Sequence, residues 1–100
     1  MRDTITVGNV ELNGGRFCVV VAGEDIPVTL QQFKILRCLM MNRGVILTPE
    51  QISDAYREIE GLAATRNVAV HVSRINHKIG FRFIESVYGI GYMVREEATL

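Results

Sequence analysis

Residues 66–79 read RNVAVHVSRINHKI, a run with valines on one spacing and Arg, His and Lys on another. Val68, Val72, Ile75 and Ile79 fall at i, i+4, i+7 and i+11, one stripe of a helix, and Gly80 follows as a terminator. β-Branched residues also suit a strand, but strict alternation stops at Ser73-Arg74, so the spacing predicts a helix over 66–79. Away from the apolar stripe lie Asn67, Val70, Arg74, His77 and Lys78, with Arg66 and His71 at the flanks. No Asp or Glu occurs between Thr65 and Arg82, whereas Glu50, Asp54, Glu58 and Glu60 cluster just before. A helix that grips a core with one face and carries cations on the other is suited to a polyanionic partner.

The whole chain does not advertise that partner. Eleven basic and eleven acidic residues cancel, so any cationic surface must be local. One hundred residues, 48% apolar and 22% charged, suit one domain over 1–100, with an ordered core expected at about 4–95. Cys18 and Cys38 lack zinc-site spacing and read as buried free thiols. A polar N-terminus and short apolar runs give neither leader nor membrane span, so a reducing cytoplasm is expected. Ser53, Ser73 and Ser86 sit in no nucleophile elbow, and Gly89-x-Gly91 is too short for a nucleotide fingerprint. His71 and His77, six apart, point to different faces. Neither an enzyme nor a cofactor or metal is expected.

Working outward, TITV, VEL, FCVVVA and IPV are separated by Asn13-Gly14-Gly15 and Gly23-Glu24-Asp25, the pattern of an antiparallel meander. Pro27 belongs at an edge or unpaired position because it has no N–H. The period then changes. Thr29 with Gln32 three residues on forms a capping box, and Leu30, Phe33, Leu36, Cys38, Leu39 and Met40 supply the apolar face of a helix over about 30–42. Thr48-Pro49-Glu50-Gln51 starts a second helix, whose stripe is Ile52, Ala55, Tyr56 and Ile59. Residues 60–65, EGLAAT, read as a loop, and 81–94 as two short strands around Tyr88-Gly89-Ile90-Gly91.

Meander, three helices and a terminal hairpin, with VTLQQFKILRCLMMNRGVILTPEQI, RNVAVHVSRINHKIG and IESVYGIGYMV in that order, resembles the DNA-binding effector domain of OmpR/PhoB-type response regulators from about Ile5 to Val94. The resemblance implies an α+β winged helix-turn-helix with an N-terminal antiparallel β-meander, three helices and a C-terminal β-hairpin wing. The family pattern runs R-x-V-D-V-H-I-x-R-L-R-x-K-L along the recognition helix and V-R-G-x-G-Y in the wing. Arg66, Val68, Val70, His71, Arg74, Lys78, Gly89, Gly91 and Tyr92 stand in register with it. Three positions depart: Ala69 replaces an Asp, Asn76 an arginine, and Tyr88 the wing arginine that enters the minor groove. The resemblance assigns no receiver domain to this chain, and Met1 is in keeping with a free-standing effector.

By that resemblance the partner is double-stranded DNA, with helix 66–79 in the major groove and the wing, 83–94, on the backbone or minor groove. Arg74 is the foremost base reader, since a guanidinium can bind guanine O6 and N7 together; it is equally a pattern met on any exposed helix. Val70 can touch a thymine methyl or be a scattered surface valine, and Asn67 can reach an adenine or a phosphate, or merely cap the first turn. Phosphate contacts are expected from Arg66, His71, Ser86 and Tyr92, more loosely from Tyr56, with His77 and Lys78 extending the cationic edge. Tyr92 reads alternatively as a ring packed in the core, and Ser86 as a plain strand serine. In the family the loop at 58–64 meets RNA polymerase, and two copies on tandem or inverted half-sites would form a homodimer on DNA. The rival function is a protein-interaction module with a winged-helix fold that binds polymerase or another regulator without strong DNA binding.

Overall fold

The computed structural model describes residues 4–96. Four short strands, β1 (Thr4–Val7), β2 (Val10–Asn13), β3 (Cys18–Val21) and β4 (Glu24–Ile26), form an antiparallel sheet in the order β1-β2-β3-β4. The register pairs Leu12 with Val19 and Val10 with Val21, so Val10, Leu12, Val19 and Val21 share one face and are buried. The strands are shorter than the apolar runs suggest. Phe17 and Ala22 adopt positive φ, 52° and 51°, and form turns. Glu24 and Asp25, expected in a turn, belong to β4, and Pro27 lies just beyond that strand.

Helix α1 (Leu30–Met41) begins with the capping box: Thr29 Oγ1 accepts from Gln32 N at 3.1 Å, and Gln32 Oε1 from Thr29 N at 3.0 Å. It buries Phe33, Ile35, Leu36, Leu39 and Met40. The stripe read from sequence named Leu30 and Cys38 instead of Ile35; Leu30 is exposed and Cys38 half-buried. The sheet, the hairpin and the other helices all contact α1, so its buried face is wider than a single amphipathic stripe.

The second helical segment is broken. A capping box at Thr48 opens α2 (Pro49–Ser53), but α3 (Arg57–Glu60) starts only after Tyr56 leaves helical geometry at φ −134°. Tyr56 is fully buried and its hydroxyl donates to the Ala64 carbonyl, which pulls the chain inward there. Ile59, expected in the buried stripe, is thereby left exposed, and Ala55 half-buried. Two 3₁₀ turns, Gly61–Ala63 and Thr65–Asn67, stand where the expected loop, 60–65, ran into the expected start of the helix at 66.

Helix α4 (Val68–Ile79) buries Val68, Val72, Ile75 and Ile79, and ends at Gly80 with φ 98°. Residues 66 and 67 belong to the preceding 3₁₀ turn rather than to the helix. A hairpin of β5 (Ile84–Val87) and β6 (Gly91–Val94) completes the chain. Its β6 edge is docked on the segment before α2: Leu47 and Tyr92 exchange two backbone hydrogen bonds of 2.9 Å. The strand order, helices and hairpin are those of a winged helix.

Candidate nucleic-acid interface

The apolar seam of α4 fixes its rotation, and everything off that seam follows. Val70, Ser73, Arg74 and His77 are exposed, with Arg66 exposed just ahead of the helix. Neither Arg66 nor Arg74 has a carboxylate partner among the described residues. The preceding acidic cluster is largely occupied elsewhere: Glu58 meets Lys34 Nζ at 3.1 Å, Asp54 meets Arg57 Nε at 3.1 Å, and Glu60 meets His71 Nε2 at 2.8 Å. Lys34 lowers the carboxyl of Glu58 below the usual range. The neutral total therefore does not neutralise the recognition surface.

Lys78 is half-buried and donates at 2.8 Å to Gln32 Oε1, the oxygen that also closes the cap of α1. Its partner is a neutral amide, so the ammonium charge stays beside Arg74 and His77 at the edge of α4. Together with Thr29, Gln32 and Ser73 these three residues line a shallow groove between α4 and the start of α1.

Three expected contact residues are placed otherwise. Tyr56 is buried with its hydroxyl committed to Ala64; burial, then the nearby Glu60 charge, push its pKa up to about 12. It offers nothing to a phosphate. His71 is 9% exposed, stacked edge-on against Tyr56 at 5.1 Å between centroids, with Nε2 on Glu60 and Nδ1 buried without a partner. Asn67 occupies the N-cap position of α4 but makes no capping bond; its Nδ2 donates to Glu60 Oε1 at 2.9 Å. Glu60 also accepts from Gln31 Nε2 at 3.3 Å, so this carboxylate joins α1, α3 and α4. The Asn67 hydrogen bond, foremost, and those from His71 and Gln31 hold its carboxyl below the usual range against the opposing effect of burial. Glu60 is the residue that sequence reading passed over. An acidic side chain at the end of a four-residue helix carries no periodic signal, and only the fold brings it to Asn67 and His71.

Asn76, standing where the family has an arginine, is turned away from solvent: Nδ2 donates to the Ile84 carbonyl and Oδ1 accepts from Ile84 N, both at 2.9 Å. It ties the recognition helix to the first wing strand. In the wing, Ser86 and Tyr92 face each other across the hairpin, Ser86 exposed and Tyr92 half-buried. With Pro49 and Gly89 they line a cleft between the wing and the start of α2. Tyr88 stands fully exposed at the tip, beside Gly89 with φ 77°.

Comparison with known proteins agrees with this geometry. The family described as "Transcriptional regulatory protein, C terminal" matches residues 23–94. The transcriptional regulatory protein QseB of Escherichia coli O157:H7 is 33% identical over 90 residues, covering 90% of this chain and 41% of that protein. BasR of Escherichia coli K12 is 30% identical over 90 residues, 90% of this chain and 40% of its own length. The chain thus spans about two fifths of these relatives. Among solved structures, the C-terminal effector domain of BfmR from Acinetobacter baumannii superposes with a TM-score of 0.80 at 29% identity, over 97% of this chain and 94% of that one. The RstA DNA-binding domain of Klebsiella pneumoniae, solved in complex with the RstA box, shares the fold with a TM-score of 0.81 at 22% identity, covering 95% and 99%. With its sheet, helices and wing in that arrangement, the chain belongs to the OmpR/PhoB-type winged-helix DNA-binding domains of transcriptional regulatory proteins.

Proposed function

We propose that this chain binds double-stranded DNA and regulates transcription without catalysis, α4 entering the major groove and the β5–β6 wing resting on the backbone or minor groove. The observation that carries the reading is that Arg74 on α4 and Arg66 just ahead of it are exposed and without a carboxylate partner among the described residues, while the nearby acids are engaged with other residues. Arg74, Val70 and Asn67 read bases; Arg66, His77, Lys78, Ser86 and Tyr92 hold phosphates. Tyr88 lies along the sugars at the wing tip, where it brings no positive charge into the narrow groove. Tyr56 and His71 are dropped from the contact set on their burial. That RstA was solved on its own DNA box supports the same use of the shared fold. The molecule acts in the cytoplasm, and two copies on tandem or inverted half-sites raise a modest monomer affinity through avidity.

Fluorescence titration of a labelled duplex across salt tests this. Each phosphate neutralised by a cation contributes about 0.9 to the log–log slope, so the cationic members of the set, Arg66 and Lys78 with His77, give a slope of roughly −2 to −3, and the neutral Ser86 and Tyr92 add nothing to it. A slope of zero with every duplex removes DNA from the account. One observation favours the rival reading: Leu62, in the 58–64 segment, is 97% exposed, and Ile59, three residues earlier in the same segment, is exposed too. That pair suits a protein partner such as RNA polymerase, and capture of polymerase in nuclease-treated conditions, with no duplex binding, would select it.

A further inference from the structure

We infer that Glu60 is a specificity-determining positioning residue: it fixes which end of the Asn67 amide faces the DNA, so that a carbonyl oxygen rather than an N–H is presented to the bases. The inference rests on the DNA reading of α4. An ionised carboxylate only accepts hydrogen bonds, so of the two ends of an asparagine amide only the NH2 can face it. Asn67 Nδ2 lies 2.9 Å from Glu60 Oε1 accordingly. Asn67 Oδ1 has no hydrogen-bond partner among the described residues, and Asn67 lines a cleft together with Glu60, His71, Val70 and Arg74, so its free carbonyl end is the one left for a partner there.

Glu60 is itself held. Its side chain is 15% exposed, and Oε2 takes both His71 Nε2 at 2.8 Å and Gln31 Nε2 at 3.3 Å, which leaves the carboxylate little freedom to release Asn67. In the major groove the hydrogen-bond donors are the exocyclic amines of adenine and cytosine, whereas guanine and thymine present oxygen acceptors on the corresponding edge. An outward carbonyl at residue 67 therefore favours adenine or cytosine at the base it meets and repels guanine or thymine.

Gln at position 60 reverses the arrangement. Two donors, His71 and Gln31, converge on the Oε2 position, so the single amide oxygen of E60Q takes that place and its NH2 faces Asn67. Asn67 then turns over and presents its own N–H outward.

Selection from a random duplex library with the wild type, E60Q, E60A and N67A, followed by competition titration of single-base variants of the selected duplex, tests the inference. The expected result is one base-pair position at which the wild type prefers adenine or cytosine and E60Q prefers guanine or thymine. The change in relative affinity is roughly five- to tenfold, the factor one hydrogen bond of ordinary net strength represents. E60A and N67A lose the preference there, and E60Q has no further effect in the N67A background. Because preference is a ratio, loss of active protein in a destabilised variant does not mimic it, and E60A gives a second route if E60Q folds poorly. A wild-type motif that E60Q and E60A leave unchanged at every position overturns the inference while keeping the DNA reading. Failure of the wild type to bind any duplex overturns the DNA reading and this inference with it.

Discussion

Two side chains on α4, Arg74 and Asn76, are two residues apart in sequence and opposite in purpose. Arg74 is exposed without a carboxylate partner, and removing it deletes a forked donor worth about 1–3 kcal/mol of base discrimination. R74A is therefore expected to weaken binding to a library-selected duplex by roughly ten- to a hundredfold, with binding to random duplex much less affected, as read by competition titration. Asn76 works inward on both backbone groups of Ile84. N76A leaves that N–H and carbonyl unpaired beside the buried Ile84 side chain, and is expected to destabilise the domain by about 2 kcal/mol in urea unfolding. The identity of the residue was legible in sequence as a departure from the family's arginine; its task was not, because a polar side chain at helical spacing reads as surface until the strand it meets is in place.

At the level of elements, the wing is held by backbone contact as well as by the burial of Ile84 and Val94 in the core. Gly91 shows how close that contact is: a Cβ there would lie 1.9 Å from the Leu47 carbonyl oxygen, an approach open only to glycine. G91A must push the hairpin away from residues 47–48, breaking the paired bonds between Leu47 and Tyr92. The expected cost is about 3 kcal/mol by urea unfolding, together with loss of protection of the Leu47 and Tyr92 amides in hydrogen exchange. The Gly-x-Gly pattern pointed to a turn, and Gly89 with its positive φ supplies it. The second glycine answers to a different constraint, crowding by a segment more than forty residues earlier, which no local pattern carries. The broken second helix has the same kind of origin. Its cap and proline are local signals and were read correctly, while the interruption at Tyr56 comes from a tertiary bond to Ala64.

For the molecule as a whole, charge is managed by position. Glu58 and Glu60 both have depressed pKa values in the folded state, so the stability they contribute is present above their ordinary value of 4.5 and is lost as pH falls through the lower folded values. Glu60, being the more enclosed and joining three helices, should dominate: E60Q is expected to flatten the fall in unfolding free energy below pH 4.5 seen with the wild type in acid-series urea titrations. Tyr56 acts at the other end. Its raised pKa, about 12, means that its contribution is complete below 10.0 and is lost as pH rises towards that value. Y56F should remove the part of the alkaline loss that belongs to this hydroxyl. The cationic surface of α4 survives in a neutral molecule because Lys34 and Arg57 engage Glu58 and Asp54.

The chain by itself determined the α4 seam, both capping boxes, the meander and the hairpin, because each depends on residues a few positions apart whose period or turn chemistry is written locally. It also determined that Arg66 and Arg74 lie in a run, 66–81, with no acid of its own. Only the tertiary structure decided which polar side chains of α4 remain available. His71 is held by Glu60 and Asn76 by Ile84, whereas Lys78 keeps its charge while donating to Gln32, and Asn67, just ahead of α4, is tethered to Glu60 by its NH2 end alone, each through a bond between elements. A side chain with unsatisfied hydrogen-bonding capacity at a buried edge is claimed by whatever partner the packing brings within about 3 Å, and that partner is set by the path of the whole chain.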